Sequence, residues 1–354
     1  VNETFDIAVV GSGAAGIAAA VVAARTGGRV LVLDKNPAIG GTGGLSGLTT
    51  LCGLYDEAGN YLNDGFAREF AEAIAEAPPL KSGRLWVLPY RPENFRAVAG
   101  KFFAAYPNLK TFWNTPVKNV GVANSRVVSL NDFSVGAVID CSGTAEVARA
   151  AGTECLATDE TTQAPAVVFA LRGVTREIHS TADAARVLMP LIRAGFPPLH
   201  FHPDLETDGL TAKFSGAPEQ VPALIEFLRK HVSGFAHCSS PQTEFHISQR
   251  AGRMIVGEYV LRGADVVGAQ KFPDAVARCA WPVEEWGADG KTKLLWLPSG
   301  EHYEIPARAL RAAKIKNLFM AGKTISAEAS AIASARVMGC CLATGAAAGK
   351  LAAQ

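Results

Sequence analysis

The chain lacks an excess of charge of either sign: 34 Lys and Arg stand against 33 Asp and Glu in 354 residues, a formal net charge of +1. That balance is not the basic footprint of a nucleic-acid binder, and it points to a small-molecule substrate. A Cys-x-x-Cys pair is missing too. The seven cysteines, Cys52, Cys141, Cys155, Cys238, Cys279, Cys340 and Cys341, form an odd set in which only the last two are neighbours. This argues against a disulfide framework or a zinc ribbon. The opening Val1-Asn-Glu-Thr-Phe-Asp6 carries acid where a secretory signal carries Lys or Arg, so the chain reads as cytoplasmic and reduced. Aromatic residues are few, at 8%, and there is no internal repeat, coiled coil, charge block or low-complexity linker. The uncharged run 7–24 reaches only the lower limit of a membrane span, and the glycines within it favour another reading. What is abundant is apolar residue (49%) and glycine (35 residues). Such a chain can bury the cores of roughly two domains and has the tight turns of a nucleotide-binding α/β protein.

Phe5 to Val10 is a short apolar run rich in β-formers, followed by Gly11-Ser-Gly13-Ala14-Ala15-Gly16 and a helix-forming stretch to Arg25. Gly27-Gly28 stops the helix. Arg29 to Leu33 reads as a second buried strand, with Asp34 at its end, 18 residues beyond Gly16. In this βαβ unit Gly11 permits the tight turn and Gly13 lets backbone approach a pyrophosphate. Gly16 allows close helix–strand packing, and the helix amino terminus offers unpaired N–H groups. Asp34 is placed to accept from a ribose hydroxyl. Lys35 follows, and Gly40-Gly41-Thr42-Gly43-Gly44 could bring further N–H groups against a phosphate or flavin. Asn317 to Gly322 reads as a strand ending in glycine, followed by a long small-residue helix from about Ser334 to Ala353.

With Val138-Ile-Asp-Cys-Ser-Gly143 and Leu318-Phe-Met-Ala-Gly322, these motifs fall in the order seen in a known family. The chain resembles the FAD-dependent oxidoreductases of the broad glutathione-reductase and fumarate-reductase type. Within that group, Arg253 to Val260, Tyr303-Glu-Ile-Pro306 and Ala335-Arg-Val-Met338 resemble a bacterial subfamily largely of unassigned substrate. The resemblance covers nearly the whole chain, most weakly from about Leu156 to Gln242. It implies an α/β fold, a Rossmann-like FAD-binding domain with an inserted α+β substrate domain. It also implies extended FAD, with Gly11, Gly13 and Gly16 at the pyrophosphate and Asp34 at the adenosine ribose, where Glu is commoner. By position, Val117 on a strand Pro116 to Val122 would meet the adenine, and Cys141-Ser142-Gly143 would line the adenosine side. Gly322 would approach the pyrophosphate and ribityl chain. A helix beginning near Arg336, Val337 and Met338 would aim its positive end at the flavin's pyrimidine side.

Because these motifs lie at both ends, the FAD domain is expected to be discontinuous: residues 1–55, 107–154 and 303–354, with 56–106 and 155–302 as the substrate domain. Helices are expected over Ala67 to Ala77, Arg91 to Ala105, Gln220 to Val232 and Gln249 to Arg262. Strands are expected over Ala164 to Val174 and Thr243 to Ile247.

Candidate catalytic groups are less defined. Cys52, just beyond the Gly40 to Gly44 segment, is a candidate reactive thiol or flavin attachment point, with a buried apolar cysteine as the plainer reading. His246, Arg250 and Arg253 follow at helical spacings of four and three and could present cations to an anionic substrate. Glu328 is a candidate proton carrier near the flavin. His200-Phe-His202 with Asp204 has the look of a metal cluster but sits readily in a loop, and no metal is expected. No second G-x-G-x-x-G is present, so a separate NAD(P)H domain is unsupported. The expected activity is hydride transfer between flavin and a small organic substrate, with an anion as one candidate class. A flavin monooxygenase using NAD(P)H and oxygen is the alternative, and a non-catalytic flavin-binding protein the third reading. The electron acceptor and the oligomeric state, a homo-oligomer included, are left open.

Overall fold

The computed structural model describes residues 3–158, 163–175, 181–206, 208–245, 247–287 and 292–354, with 181–185 and 203 described by backbone alone. Five strands run parallel in the spatial order Leu109–Phe112, Val30–Leu33, Thr4–Val10, Phe133–Asp140, Leu318–Met320. The register aligns Phe112 with Leu33, Leu33 with Val10, Val10 with Asp140, and Asp140 with Met320, so the carboxyl ends form one rim. Two antiparallel strands, Arg126–Leu130 and Val120–Ala123, extend the sheet from the first half of Phe133–Asp140. Both faces of the sheet are covered, which explains the unbroken apolar run at the start of the chain. Ile7 and Val9 face one core cluster while Ala8 and Val10 face another.

The helix Ala14–Ala24 follows the first strand, and all 11 of its residues are buried. It lies against the helix Met338–Ala352 with the two backbones nearly touching. A Cβ added to Gly345 would lie 2.1 Å from the carbonyl oxygen of Ala15, and one on Gly349 would lie 2.6 Å from that of Ala19. The uncharged run 7–24 is therefore a buried strand, turn and helix. Among the described residues no single helix is long and apolar enough to cross a membrane.

A second, antiparallel sheet is built from Leu199–Pro203, Leu210–Phe214, Ala166–Leu171 and Ile247–Ser248, in that order. Its two faces differ. Val167, Phe169, Leu171, Leu199, Ala212 and Phe214 pack with Val187, Leu191, Leu224 and Leu228 from the helices Thr181–Arg193 and Val221–His231. The alternate residues Val168, His202 and Lys213 face the cavity described below. This mixed α/β architecture is a Rossmann-like parallel-sheet domain with an inserted second region, as the resemblance implies.

The helices Phe66–Ile74, Pro92–Ala104 and Val221–His231 and the strand Ala166–Leu171 lie where sequence pattern puts them. Three expectations are corrected. Gln249 to Arg262 is not a long helix: Arg253–Ile255 is a strand paired antiparallel with Cys155–Ala157. Burial of Met254 and Ile255 in two different clusters outweighs the helical spacing of the charges. Among the described residues of Thr243 to Ile247, only Ile247 joins a strand, Ile247–Ser248. The carboxyl-terminal helix does not run from Ser334, because Ala329–Ala335 and Met338–Ala352 meet at a bend of 97° with Val337 extended between them.

Candidate functional site

A cavity of about 520 Å³ opens along the rim of the parallel strands, where ligands of open α/β sheets bind. Asp34 and Lys35 line one end; Cys52, Lys213, Arg250, Trp286 and Arg336 line the other; Gly11 to Ala15, Cys141 to Gly143 and Ala321 to Lys323 lie between.

The middle is shaped by close backbone approach. Gly11 has φ +94°, and a Cβ there would lie 2.6 Å from the Cys141 carbonyl oxygen. A Cβ on Gly16 would lie 1.8 Å from the Gly11 carbonyl oxygen. Gly13 caps the helix Ala14–Ala24 with no side chain, so the first-turn N–H groups face the cavity beside Ala14 and Ala15. The second glycine-rich segment folds as the short helix Gly41–Leu45, and the Gly40 N–H donates to the Ser12 carbonyl at 3.0 Å. Gly41, Thr42 and Gly43 also line the cavity. The Tyr90 hydroxyl donates to the Gly43 carbonyl at 3.0 Å. The Gly322 N–H donates to Thr344 Oγ1 at 3.1 Å.

Asp34 is buried, and all four of its approaches are used. Oδ2 accepts from the Ser12 N–H (2.6 Å) and Oγ (2.5 Å), and Oδ1 accepts from the Asn36 N–H (2.8 Å) and Nδ2 (2.9 Å). Lys35 pairs with Glu146 at 2.7 Å, and both line the cavity. Asp140 is fully buried, and burial pushes its carboxyl up. It shapes the Cys141-Ser142-Gly143 turn by accepting from the Ser142 N–H and Oγ and from the Val147 N–H. Val117 departs from expectation. The strand starts only at Val120, because Pro116 has no N–H and the Asn131 side chain occupies the polar groups of Pro116, Lys118 and Asn119. Val117 is half-buried against a core cluster, and Thr115 lines the cavity instead.

The opposite end concentrates charge. Burial lowers the proton affinities of Lys213, Arg250 and Arg336, and repulsion between Arg336 and each of the other two adds to this. Arg250 is brought down to about 10. Glu284 is the carboxylate facing this group among the lining residues. Arg250 is stacked on Trp286, 4.1 Å from the ring centre, and also donates to the Ala164 carbonyl. Arg336 is different: its Nε and Nη2 are buried with no hydrogen-bond partner. His202, opposite Thr211 on the same sheet, also has a buried Nε2 without a partner, and burial beside Lys213 holds it well below the usual imidazole range. Val337 and Met338 start the last helix on this wall.

Of the other candidate residues, Cys52 lines the cavity between Lys213 and Arg336, and burial pushes its thiol up to about 11. Arg250 and Arg253 do not share a helix face, since Arg253 is exposed on its strand. His246 lies outside the described residues. Glu328 is exposed and does not line the cavity, because its Oε2 is drawn to the Gly263 N–H at 3.0 Å. Asp204 pairs with Arg172 at 2.8 Å. Sequence reasoning missed Lys213, Glu284, Trp281, Trp286 and Lys323. The alternation of Thr211 and Lys213 with Leu210, Ala212 and Phe214 is the signal that marks a polar sheet face.

The family model of FAD-dependent oxidoreductases matches residues 6–190 and 199–354. The chain belongs to the FAD-dependent oxidoreductases. FAD is the cofactor of this family, and the chain spans about half the length of the first solved relative it matches, 54%. Solved structures are similar to the chain at low identity. GidA of Aquifex aeolicus, which shares its fold, is 14% identical, with 99% of this chain and 63% of that one covered at a TM-score of 0.55. A geranylgeranyl bacteriochlorophyll reductase-like protein of Thermoplasma acidophilum is 15% identical, with 100% and 78% covered at 0.49. The p-nitrophenol 4-monooxygenase of Pseudomonas putida DLL-E4 is 12% identical, with 73% and 71% covered at 0.46. No curated protein matches the sequence. The site of this flavoenzyme fits its cofactor on physical grounds: a glycine-walled cradle at a helix amino terminus suits a pyrophosphate, and an unpartnered buried guanidinium suits an anionic ring or substrate.

Proposed function

We propose that this flavoenzyme carries out redox chemistry on a small organic anion held against the flavin between Trp281, Trp286 and a cationic wall of Lys213, Arg250 and Arg336. The observation that carries the reading is Arg336, whose buried Nε and Nη2 have no partner. A buried guanidinium left unpaired is costly, and a carboxylate or a negatively charged flavin ring relieves that cost. Residues 56–106 and 155–302 form the substrate side in this reading.

Gly11, Gly13, Ala14, Ala15 and Gly16 would hold the pyrophosphate, with Gly40 to Gly43 opposite. Asp34 would take the ribose, with Ser12 Oγ or Asn36 Nδ2 giving way, and Lys35 would close over it with Glu146. Cys141, Ser142 and Gly143 would line the adenosine side, and Gly322 the ribityl chain. Arg336, Val337 and Met338 would face the pyrimidine side. Bound FAD supplies a two-electron acceptor. Arg250 and Lys213 orient the substrate anion, Trp286 excludes water, and His202, held neutral, offers its unpartnered Nε2 as a hydrogen-bonding group that positions the substrate.

Two reactions fit this arrangement, hydride transfer and oxygen insertion, and one experiment separates them. Loaded protein is mixed anaerobically with a panel of hydroxy, amino and aromatic carboxylates while the visible flavin band is followed. Bleaching by the carboxylate alone marks hydride transfer. Bleaching only when NAD(P)H is added, followed on admission of oxygen by carboxylate-stimulated oxygen uptake and a hydroxylated product, marks a monooxygenase. Turnover of neutral analogues as fast as of the carboxylates would overturn the anionic-substrate reading.

A further inference from the structure

Lys323 stands one residue beyond Gly322, at the point where the carboxyl-terminal strand meets the dinucleotide helix: a Cβ on Gly322 would lie 2.8 Å from the Ala15 Cβ. The lysine lines the cavity, and its Cε passes between two backbones, 3.4 Å from the position of a Cβ on Gly143 and 3.5 Å from one on Gly252. Its Nζ donates to the Gln249 carbonyl at 3.0 Å and approaches that of Ala251 at 3.5 Å. Among the described residues no carboxylate pairs with it. The charged groups that face it are the cations Arg336 and Lys35, the latter tied to Glu146, and its remaining titratable neighbour is the Cys341 thiol. Burial and those cations bring its ammonium down to about 8. A half-buried ammonium whose hydrogen bonds go to backbone carbonyls keeps donor capacity for an anion in the cavity.

We propose that Lys323 is a cationic partner of the FAD pyrophosphate, and that this pairing, through the Gln249 and Ala251 carbonyls, fixes the segment that presents Arg250 to the substrate. The inference rests on the placement of FAD given above and is independent of which substrate is used. Pairing with a phosphate anion raises the lysine's proton affinity, so FAD binding is coupled to proton uptake. Affinity is full below the lysine's free value of about 8 and falls as pH rises above it, by up to about tenfold per pH unit.

The test is FAD binding by full-length protein stripped of flavin, followed by flavin fluorescence from about pH 6.5 to about pH 9.5. Lys323→Met is expected to bind about 10-fold to 100-fold more weakly at neutral pH, with a flat profile, and Lys323→Arg within about threefold of wild type, also flat. Proteolysis at 249–251 is expected to slow on FAD addition in wild type and Lys323→Arg, but not in Lys323→Met. Unchanged affinity in Lys323→Met, or a pH slope that persists in Lys323→Arg, would overturn the proposal. If Lys323→Met fails to fold, the Lys323→Arg profile still decides. Gly13→Val serves as the control for cofactor placement. A Cβ there meets only Gly41 Cα at 3.8 Å, so the fold tolerates it while the cleft is filled. Should Gly13→Val bind FAD normally, the placement itself is wrong.

Discussion

Ser12 donates twice to a single oxygen of Asp34, through its N–H at 2.6 Å and its hydroxyl at 2.5 Å. With Asn36 on the other oxygen, the carboxylate is satisfied before any ribose arrives. Ser12→Ala removes one charged hydrogen bond and is expected to cost the flavin-free protein about 1–2 kcal/mol in urea unfolding. The freed lone pair becomes available to the ribose, so FAD affinity is expected to rise by about threefold to tenfold. Weaker FAD binding by Ser12→Ala would show that the serine, rather than the carboxylate, serves the cofactor.

Gly345 sits inside the helix Met338–Ala352, where Gly→Ala is ordinarily stabilising by about 1 kcal/mol. Here the sign is expected to reverse, because the new Cβ would lie 2.1 Å from the Ala15 carbonyl oxygen. Gly345→Ala should lose about 1–3 kcal/mol and, by shifting the helix Ala14–Ala24, weaken FAD binding. Thermal unfolding with and without FAD measures both. A more stable variant would mean that the two helices pack less closely than described.

Cys52 has the position of a reactive thiol without its chemistry. With its thiol pushed up to about 11 by burial, the thiolate is scarce at neutral pH. The flavin-loaded protein is expected to resist iodoacetamide at Cys52 near about pH 7.5, and Cys52→Ala is expected to retain releasable FAD. Rapid alkylation there, read by peptide mass spectrometry, would contradict this.

Glu57 braces the segment after Leu297. Its carboxylate accepts from Arg84 at 2.9 and 3.1 Å, from Ser299 Oγ at 3.0 Å and from the Gly300 N–H at 2.7 Å, and these donors hold it at about 2. A lowered carboxylate affinity stabilises above the unfolded value, about 4.3, and that contribution is lost as pH falls toward about 2. Amide exchange at Gly300 is expected to gain an acid-dependent component over that range in wild type. Glu57→Gln should exchange faster throughout, without the component.

The cofactor half of the site was legible because its chemistry is local. Gly11, Gly13, Gly16 and Asp34 fall within one βαβ unit, and each spacing follows from backbone geometry. The substrate half was not. His202 and Lys213 alternate with core residues as solvent-facing polar residues do, and only tertiary structure turns that face toward Arg336. Arg250 was found for the wrong reason, since its spacing from Arg253 suggested a helix where burial of Met254 and Ile255 imposes a strand. Glu328 looked close to the flavin along the chain, but the pairing of Leu261 with Ala327 draws it to Gly263 at the surface.

The central claim is an anion site beside the flavin, and titrating the flavin-loaded protein with small carboxylates tests it most directly through perturbation of the visible spectrum. The account expects saturable spectral shifts with carboxylates, none with the matching amides, and dissociation constants about 10-fold or more weaker in Arg336→Met and Lys213→Met. Equal binding of carboxylates and amides, or carboxylate binding untouched by both substitutions, would contradict it.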